Sequence, residues 1–472
     1  MAGWSGSSEV RAARVILLGA LILMWPAIWN GYPILYSDTN AFMVQGILNF
    51  FVWDKPFIYG PWMNLFHWQY SLWPVLLAQA LIVSSILWLT LVSINASARS
   101  LLTSSQSKLF QFEKTHLRQA DTRFVVVCLL LSVFTAAPWF TSLLMPDIFA
   151  PITVLCIYIL TIRPDLGWRT RLWVLLVGTF AIASHLSHLV IAAAVLPVVA
   201  CIKFGRLKVA VLPLVFALGA LIATNLYGFQ KFAISPFGSV FLLARLEADG
   251  HIKPILDRLC TNQSLYLCEW KDRLAPDSDD FLWDGAGPVW KHPGGPIGLS
   301  PEASELVRAA VLANPLGVVQ SLVKNTWTEL LMIGLGDTLH PDHLDLSVRA
   351  RLQTYFPQAE LERYRQSRQV QGTLTQSAAL FNTLGWVSLI AGLVVCLYAG
   401  YLALRRAERT ISLLIGMVFV ALLANAFATG ALSKPHYRYQ TRIAWLLVFV
   451  PLILPYRIRG CAPLSKTVNH SG

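Results

Sequence analysis

Charge is scarce in this chain. Asp, Glu, Lys and Arg make up 13% of its 472 residues, about half the share of an ordinary soluble domain. Apolar residues account for 56% and mean hydropathy is positive. Such a composition cannot clothe a water-facing globule of this length. Zinc-ligand spacing is missing too: no cysteine pair has a CxxC partner or a His cluster nearby. There is no P-loop and no dinucleotide-binding glycine fingerprint, so nothing here speaks for nucleotide-driven chemistry. No nucleic-acid motif accompanies the net charge of +12, and no internal repeat is evident.

What the chain has instead is apolar runs. Stretches of roughly 18 residues or more, enough to cross about 30 Å of hydrocarbon as helices, recur throughout. Spans are expected near 13–31, 73–95, 124–144, 147–162, 172–188, 189–202, 209–228, 382–404, 411–431 and 443–457. In the 172–202 region a kinked hairpin must turn at "SHLSH". The expected fold is an all-α, polytopic helical membrane bundle of about 10 transmembrane helices. Basic residues gather between runs: Arg163, Arg169 and Arg171; Lys203, Arg206 and Lys208; Arg405, Arg406 and Arg409; Arg457 and Arg459. By the positive-inside bias these segments, and both termini, are cytoplasmic. The small outer loops hold almost no basic residue apart from Lys55 and one late cluster. The N-terminal run continues into Trp25 and Trp29 without a small-residue cleavage pattern, as an uncleaved first span does.

The organisation expected is an N-terminal transmembrane module (1–228), an outer, mainly helical soluble domain (229–380) and a C-terminal transmembrane module (381–472). The first outer loop, 32–72, is rich in aromatics such as Phe51, Trp53, Tyr59 and Trp62, and suits short interfacial helices. In the outer domain, Ser300 and Pro301 read as the N-cap and first residue of a helix. "NPLGVVQSLVKNTWTELLMIGLG" reads as an amphipathic helix against membrane or bundle. Cys260 and Cys268 can close a small loop in an oxidising compartment or remain two unlinked thiols.

Three stretches carry chemistry-bearing residues. "NGYPILYSDTNAF" puts Asp38 and Asn40 just past the first run, and "MPDIFA" puts Asp147 after Pro146. Each carboxylate has a plain reading, a solvated helix end or a favourable first-turn Asp. Ionisable groups at membrane boundaries are nevertheless costly and commonly functional. "GALSKPHYRYQTRIAW" crowds Lys434, His436, Tyr437, Arg438, Tyr439 and Arg442 into one outer loop, against the charge bias. That is the chemistry of a phosphate seat; the alternative is snorkelling or pairing with Asp residues of the outer domain. His185 and His188 stand three apart, to bind a metal or substrate or to satisfy backbone at a kink.

Taken together, these pieces resemble the GT-C membrane glycosyltransferases, over roughly residues 10–230 and 430–442. In that superfamily an acidic residue shortly after span one is catalytic, matching "YSDTNAF", and "MPDIFA" is similar to the "PD" of a later span. The segments "SHLSH", "SPFGSVFLLARLEADG", "FLWD" and "PHYRYQTR" further resemble a bacterial inner-membrane family of unassigned activity. The resemblance implies an inner-membrane enzyme with a periplasmic outer domain. Its donor would be a polyprenyl-phosphate-linked sugar held by Arg or Lys of a late outer loop, its acceptor an envelope glycolipid or polysaccharide. The superfamily's frequent acid–spacer–acid pattern is reduced here to Asp38-Thr39-Asn40, which leaves Asp38 as the sole candidate base. No cofactor is implied with certainty, and a divalent cation stays open. The rival readings are a lipid-linked glycan transporter and a non-catalytic membrane scaffold.

Overall fold

The computed structural model describes residues 6–100 and 109–454, and within them the expected apolar runs are largely helical. The helices that matter here are α1 (Gly6–Leu23), α2 (Thr39–Leu48), α3 (Tyr59–His67), α4 (Trp73–Ser100), α5 (Leu109–Phe134), α6 (Phe149–Ile162), α7 (Trp168–Ala183), α8 (Leu186–Lys203) and α9 (Leu212–Phe229). In the outer region follow α10 (Gly238–Ala248), α11 (Ser278–Trp283), α12 (Gly295–Ala313), α13 (Pro315–Leu331) and α14 (Gln358–Gln366). The chain then returns through α15 (Thr375–Arg405), α16 (Arg409–Ala426), α17 (Tyr437–Ala444) and α18 (Leu446–Ile453). Among the described residues there is no strand, only an isolated parallel bridge of Ile34 with Leu143.

Among the described residues five segments, against the ten expected, are long and apolar enough to cross a membrane: Trp73–Ala96, Leu186–Ala210, Leu212–Phe229, Ala378–Arg405 and Arg409–Ala431. The pair α12–α13 is jointly long and apolar enough but bends by 104°, the shape of a broken span or of a re-entrant pair. α6 is shorter and buried along its whole length, the mark of a helix at the centre of a bundle. It packs against α4, α7, α8 and α16. The hairpin at "SHLSH" turns at Ser184–His185, between α7 and α8.

Several boundaries depart from expectation, and the run at 13–31 breaks at Met24, between helices Gly6–Leu23 and Trp25–Asn30. The run at 124–144 is not one helix: α5 ends at Phe134, and a new turn starts at Ala137 with Pro138 in its first positions, where a missing N–H costs nothing. α12 starts at Gly295, ahead of Ser300 and Pro301, because Pro296 already supplies the first-turn proline. Arg457 and Arg459, and the last expected span beyond Leu454, lie outside the described residues.

Two buried apolar clusters organise the chain. One, between Val240 and Val318, belongs to the outer region. The other takes in the bundle and also residues from Leu335 to Leu374. The Cys260–Cys268 disulfide closes its loop beside the smaller cluster, with Cα atoms 5.6 Å apart.

The segment after Leu335 clamps the first outer loop. Glu360 of α14 accepts from Tyr32 Oη (2.9 Å), Ser71 Oγ (3.1 Å) and the Leu72 amide (2.8 Å). Gln369 bonds both backbone groups of Leu35, at 3.0 and 2.7 Å. Three residues later comes Asp38.

Candidate active site

Asp38 stands at the N-cap position of α2 but makes no capping hydrogen bond. Its carboxylate is instead drawn toward Lys55 Nζ at 3.3 Å and Arg438 Nη2 at 3.8 Å, with its side chain 32% exposed. Lys55 also pairs with Asp54. Burial opposes the charge on Asp38, but Lys55 and then Arg438 outweigh it and hold the carboxyl below its ordinary range. Lys55, buried between two carboxylates, is raised above the ordinary lysine range.

Backbone pairing brings the second carboxylate in. The Ile34 amide donates to the Ser142 carbonyl at 3.0 Å, and the Leu144 amide to the Ile34 carbonyl at 2.9 Å. Thr39 Oγ1 reinforces this by donating to the Leu144 carbonyl at 3.1 Å while accepting from the Tyr36 amide at 3.0 Å. Gln79 of α4 holds the same segment through the Thr141 and Leu143 carbonyls, at 3.0 and 2.8 Å. Asp147 follows in the 3-10 turn Pro146–Ile148, and is 1% exposed. One of its oxygens lies 3.2 Å from Arg442 Nη1 and 3.7 Å from Arg438 Nε; the other, Oδ2, has no hydrogen-bond partner.

The cations arrive on α17, where positions 438 and 442 share one face. Arg438 is held between aromatic rings, its Cζ 4.1 Å from the Tyr36 centroid and 4.8 Å from that of Tyr439. Its amide donates to Asp337 at 3.3 Å, and its buried Nη1 has no hydrogen-bond partner. With Arg438 as the largest influence pulling down, and burial and nearby anions opposing it, the Tyr36 hydroxyl is pushed up to about 12 and stays neutral.

Arg442 is 0% exposed. It donates to Asn425 Oδ1 (2.9 Å), Ser187 Oγ (2.7 Å) and Asp147 (3.2 Å). Its donors are engaged within the protein, so it orients Asp147 rather than reaching an incoming group.

The histidines lie behind Arg442. His185 caps α8, its Nδ1 accepting from the Ser187 amide at 3.2 Å and lying 2.8 Å from Ser187 Oγ. His188 Nδ1 donates to the Ala181 carbonyl at 2.7 Å, and the two rings stack 5.1 Å apart. These contacts satisfy the kink, while the buried His188 Nε2 has no partner. Among the described residues no group of three or more His, Cys, Asp or Glu is placed to hold a metal ion.

The rest of the late loop faces another way. Lys434 Nζ lies 2.7 Å from Asp277 and 3.0 Å from Asp279; His436 Nε2 lies 3.1 Å from Asp279. These are outer-region carboxylates, the alternative the sequence left open for this loop. Tyr437 is half exposed. Asn40 accepts from Arg351 Nε at 2.9 Å.

Lys55, Tyr36, Asn425, Ser187 and Arg351 were not singled out as site residues. Two had a signal: Lys55 as the lone basic residue of the first outer loop, and Asn425 as an amide inside an apolar span. Arg351, more than three hundred residues from Asn40, had none.

No protein-family model, curated protein or solved structure matches the chain.

Proposed function

We propose that this chain is a GT-C-like glycosyltransferase of a bacterial inner membrane, a bundle of about ten spans with both termini cytoplasmic. It would move a sugar from a polyprenyl-phosphate donor to an envelope glycolipid or polysaccharide acceptor at the outer face. The observation that carries this reading is the position of Arg438, 3.8 Å from Asp38 and 3.7 Å from Asp147. A candidate base, a second acid and a stacked guanidinium from three distant stretches converge at one place.

The chemistry follows from what each group can do. The acceptor hydroxyl oxygen attacks the anomeric carbon and its proton passes to Asp38. The bond from that carbon to the phosphate oxygen breaks, and the electron pair leaves with the phosphate. Arg438 and Lys55 stabilise the charge gained there. Asp147, fixed by Arg442, orients the acceptor through its free Oδ2.

In the resting site Lys55 and Arg438 keep Asp38 a weak base. A phosphate that engages those cations relaxes their hold and raises its basicity, so donor binding readies the base.

The test is transfer from a polyprenyl-phosphate sugar in membranes carrying Asp38→Asn. A loss of about a hundredfold or more is expected for removing a general base; wild-type rates would remove Asp38 from the mechanism. Mass spectrometry of envelope glycolipids and polysaccharides, with and without the gene, identifies the product.

A further inference from the structure

Each cation of the inner site already has a carboxylate partner, and Asp337 adds a further carboxylate beside the Arg438 amide. Lys55, Arg438 and Arg442 pair with Asp38, Asp54 and Asp147. A phosphate entering it needs positive charge beyond these three, and the nearest further basic side chains on the same loop, Lys434 and His436, are held by Asp277 and Asp279.

Asp279 lies in the first turn of α11 and Asp277 is its N-cap. At its start, Asp277 caps the helix by accepting from the Asp279 amide at 2.8 Å, and its carboxylate also takes Lys434. At its end, Trp283 lies 6.0 Å from Trp53 and 5.8 Å from Lys55 Nζ, the lysine that reaches Asp38. One short helix thus touches the late loop on one side and the first loop on the other. The ionic contacts at its start are 27–41% exposed, and pairs so exposed are weak and screened by salt.

We propose that α11 is a lid, and that Asp277 and Asp279 occupy the seat that a phosphate group takes on Lys434 and His436. An arriving phosphate displaces the two carboxylates, the first turn of α11 swings off Lys434 while Phe281 and Leu282 stay buried in the outer cluster, and the freed Lys434 ammonium offsets the added negative charge. This rests on the phosphate reading of the preceding section and supplies the regulation of that site. Phosphate from a membrane lipid and free inorganic phosphate share this chemistry, and the experiment separates them.

The full-length protein in nanodiscs is compared with Asp277→Asn/Asp279→Asn and with Lys434→Met. Asn keeps the helix cap while removing charge. Backbone hydrogen exchange is read over residues 277–283 and binding is read with farnesyl phosphate and with inorganic phosphate. Both variants should raise exchange over α11 about tenfold, because each breaks the clasp. Their affinities for farnesyl phosphate should move in opposite directions: several-fold tighter for the Asn pair, several-fold weaker for Lys434→Met. Unchanged exchange in the Asn pair overturns the lid. Affinities that fall together in both variants overturn the shared seat, since they signal general loosening. If inorganic phosphate shows the opposite shifts and farnesyl phosphate binds no form, the lid stands and the polyprenyl-phosphate donor falls.

Discussion

Ile34 and Leu143 form an isolated parallel bridge, with no strand among the described residues, and through it the segments leading to Asp38 and Asp147 run side by side toward Arg438. The bridge depends on few bonds, and Thr39 Oγ1 supplies one on each side, to Leu144 and from Tyr36. Thr39→Val keeps the shape and removes both. With a part-buried amide and a buried carbonyl left unsatisfied, stability should fall by about 1–3 kcal/mol. Thermal unfolding in detergent measures that loss. Transfer should slow beyond what the remaining folded fraction explains, because the two carboxylates lose their common anchor; a rate that merely tracks folded protein would show the bridge to be structural only.

The two arginines of α17 should separate in their effects. Arg442→Ala leaves Asp147 buried without its hydrogen-bonded cation, a change expected to cost about 3–5 kcal/mol. Adding Asp147→Asn should recover much of that loss, and the double-mutant cycle measures the coupling. Arg438→Lys keeps the charge but loses the flat guanidinium between Tyr36 and Tyr439. It should leave thermal stability nearly unchanged and depress turnover. Equal stability losses in the two single variants would contradict this division.

Acid should open α11. Burial raises the Asp277 and Asp279 carboxyls, yet Lys434 in the first case, and His436 then Lys434 in the second, pull them below the ordinary carboxylate range. The Asp280 amide also donates to Asp277 at 3.4 Å, Asp38 across the site feels the Asp279 charge, and Glu329 accepts from the His436 amide at 2.8 Å. A carboxyl lowered in the folded state contributes fully above its unfolded value, and that contribution disappears as pH falls through the lowered one. Hydrogen exchange over 277–283, corrected for its intrinsic pH dependence, should therefore rise as pH falls through and below the usual carboxylate range. High salt at neutral pH should produce part of the same rise.

The helices were legible because burial in lipid or bundle leaves a direct trace, the long apolar run. Types of site residue were legible for a related reason: Asp38, Asp147 and Arg438 are conspicuous where charge is scarce. Their contacts were not. Pairings such as Arg442 with Asp147 or Arg351 with Asn40 join residues hundreds of positions apart, and no local spacing encodes them. The late loop shows the limit well. Its six polar residues look alike in sequence, yet Arg438 and Arg442 turn inward while Lys434 and His436 meet α11, because Tyr437 opens a helix that fixes which positions share a face. The break at Ala137 was readable from Pro138, and the apolar run masked it.

The approach of α2 to α3 makes a steric prediction with its own control. A Cβ on Gly60 would lie 2.5 Å from both the Phe42 carbonyl oxygen and Gln45 Cβ, and one on Gly46 would lie 2.5 Å from the Gly60 carbonyl oxygen. The two helices cross backbone to backbone, as small residues allow. Gly60→Ala cannot be absorbed by turning a side chain, because one of the obstructing atoms is main chain. It should cost about 1–3 kcal/mol as an overpacked contact and, by pushing on the helix that begins beside Asp38, reduce transfer as well. Gly219, inside α9, faces open space at the same position of an added Cβ. Gly219→Ala should be neutral or raise stability by about 0.5–1 kcal/mol through helix propensity alone. Paired melting curves and transfer rates for the two variants decide the matter: similar behaviour at both sites would mean that the α2–α3 contact does not hold Asp38 in place.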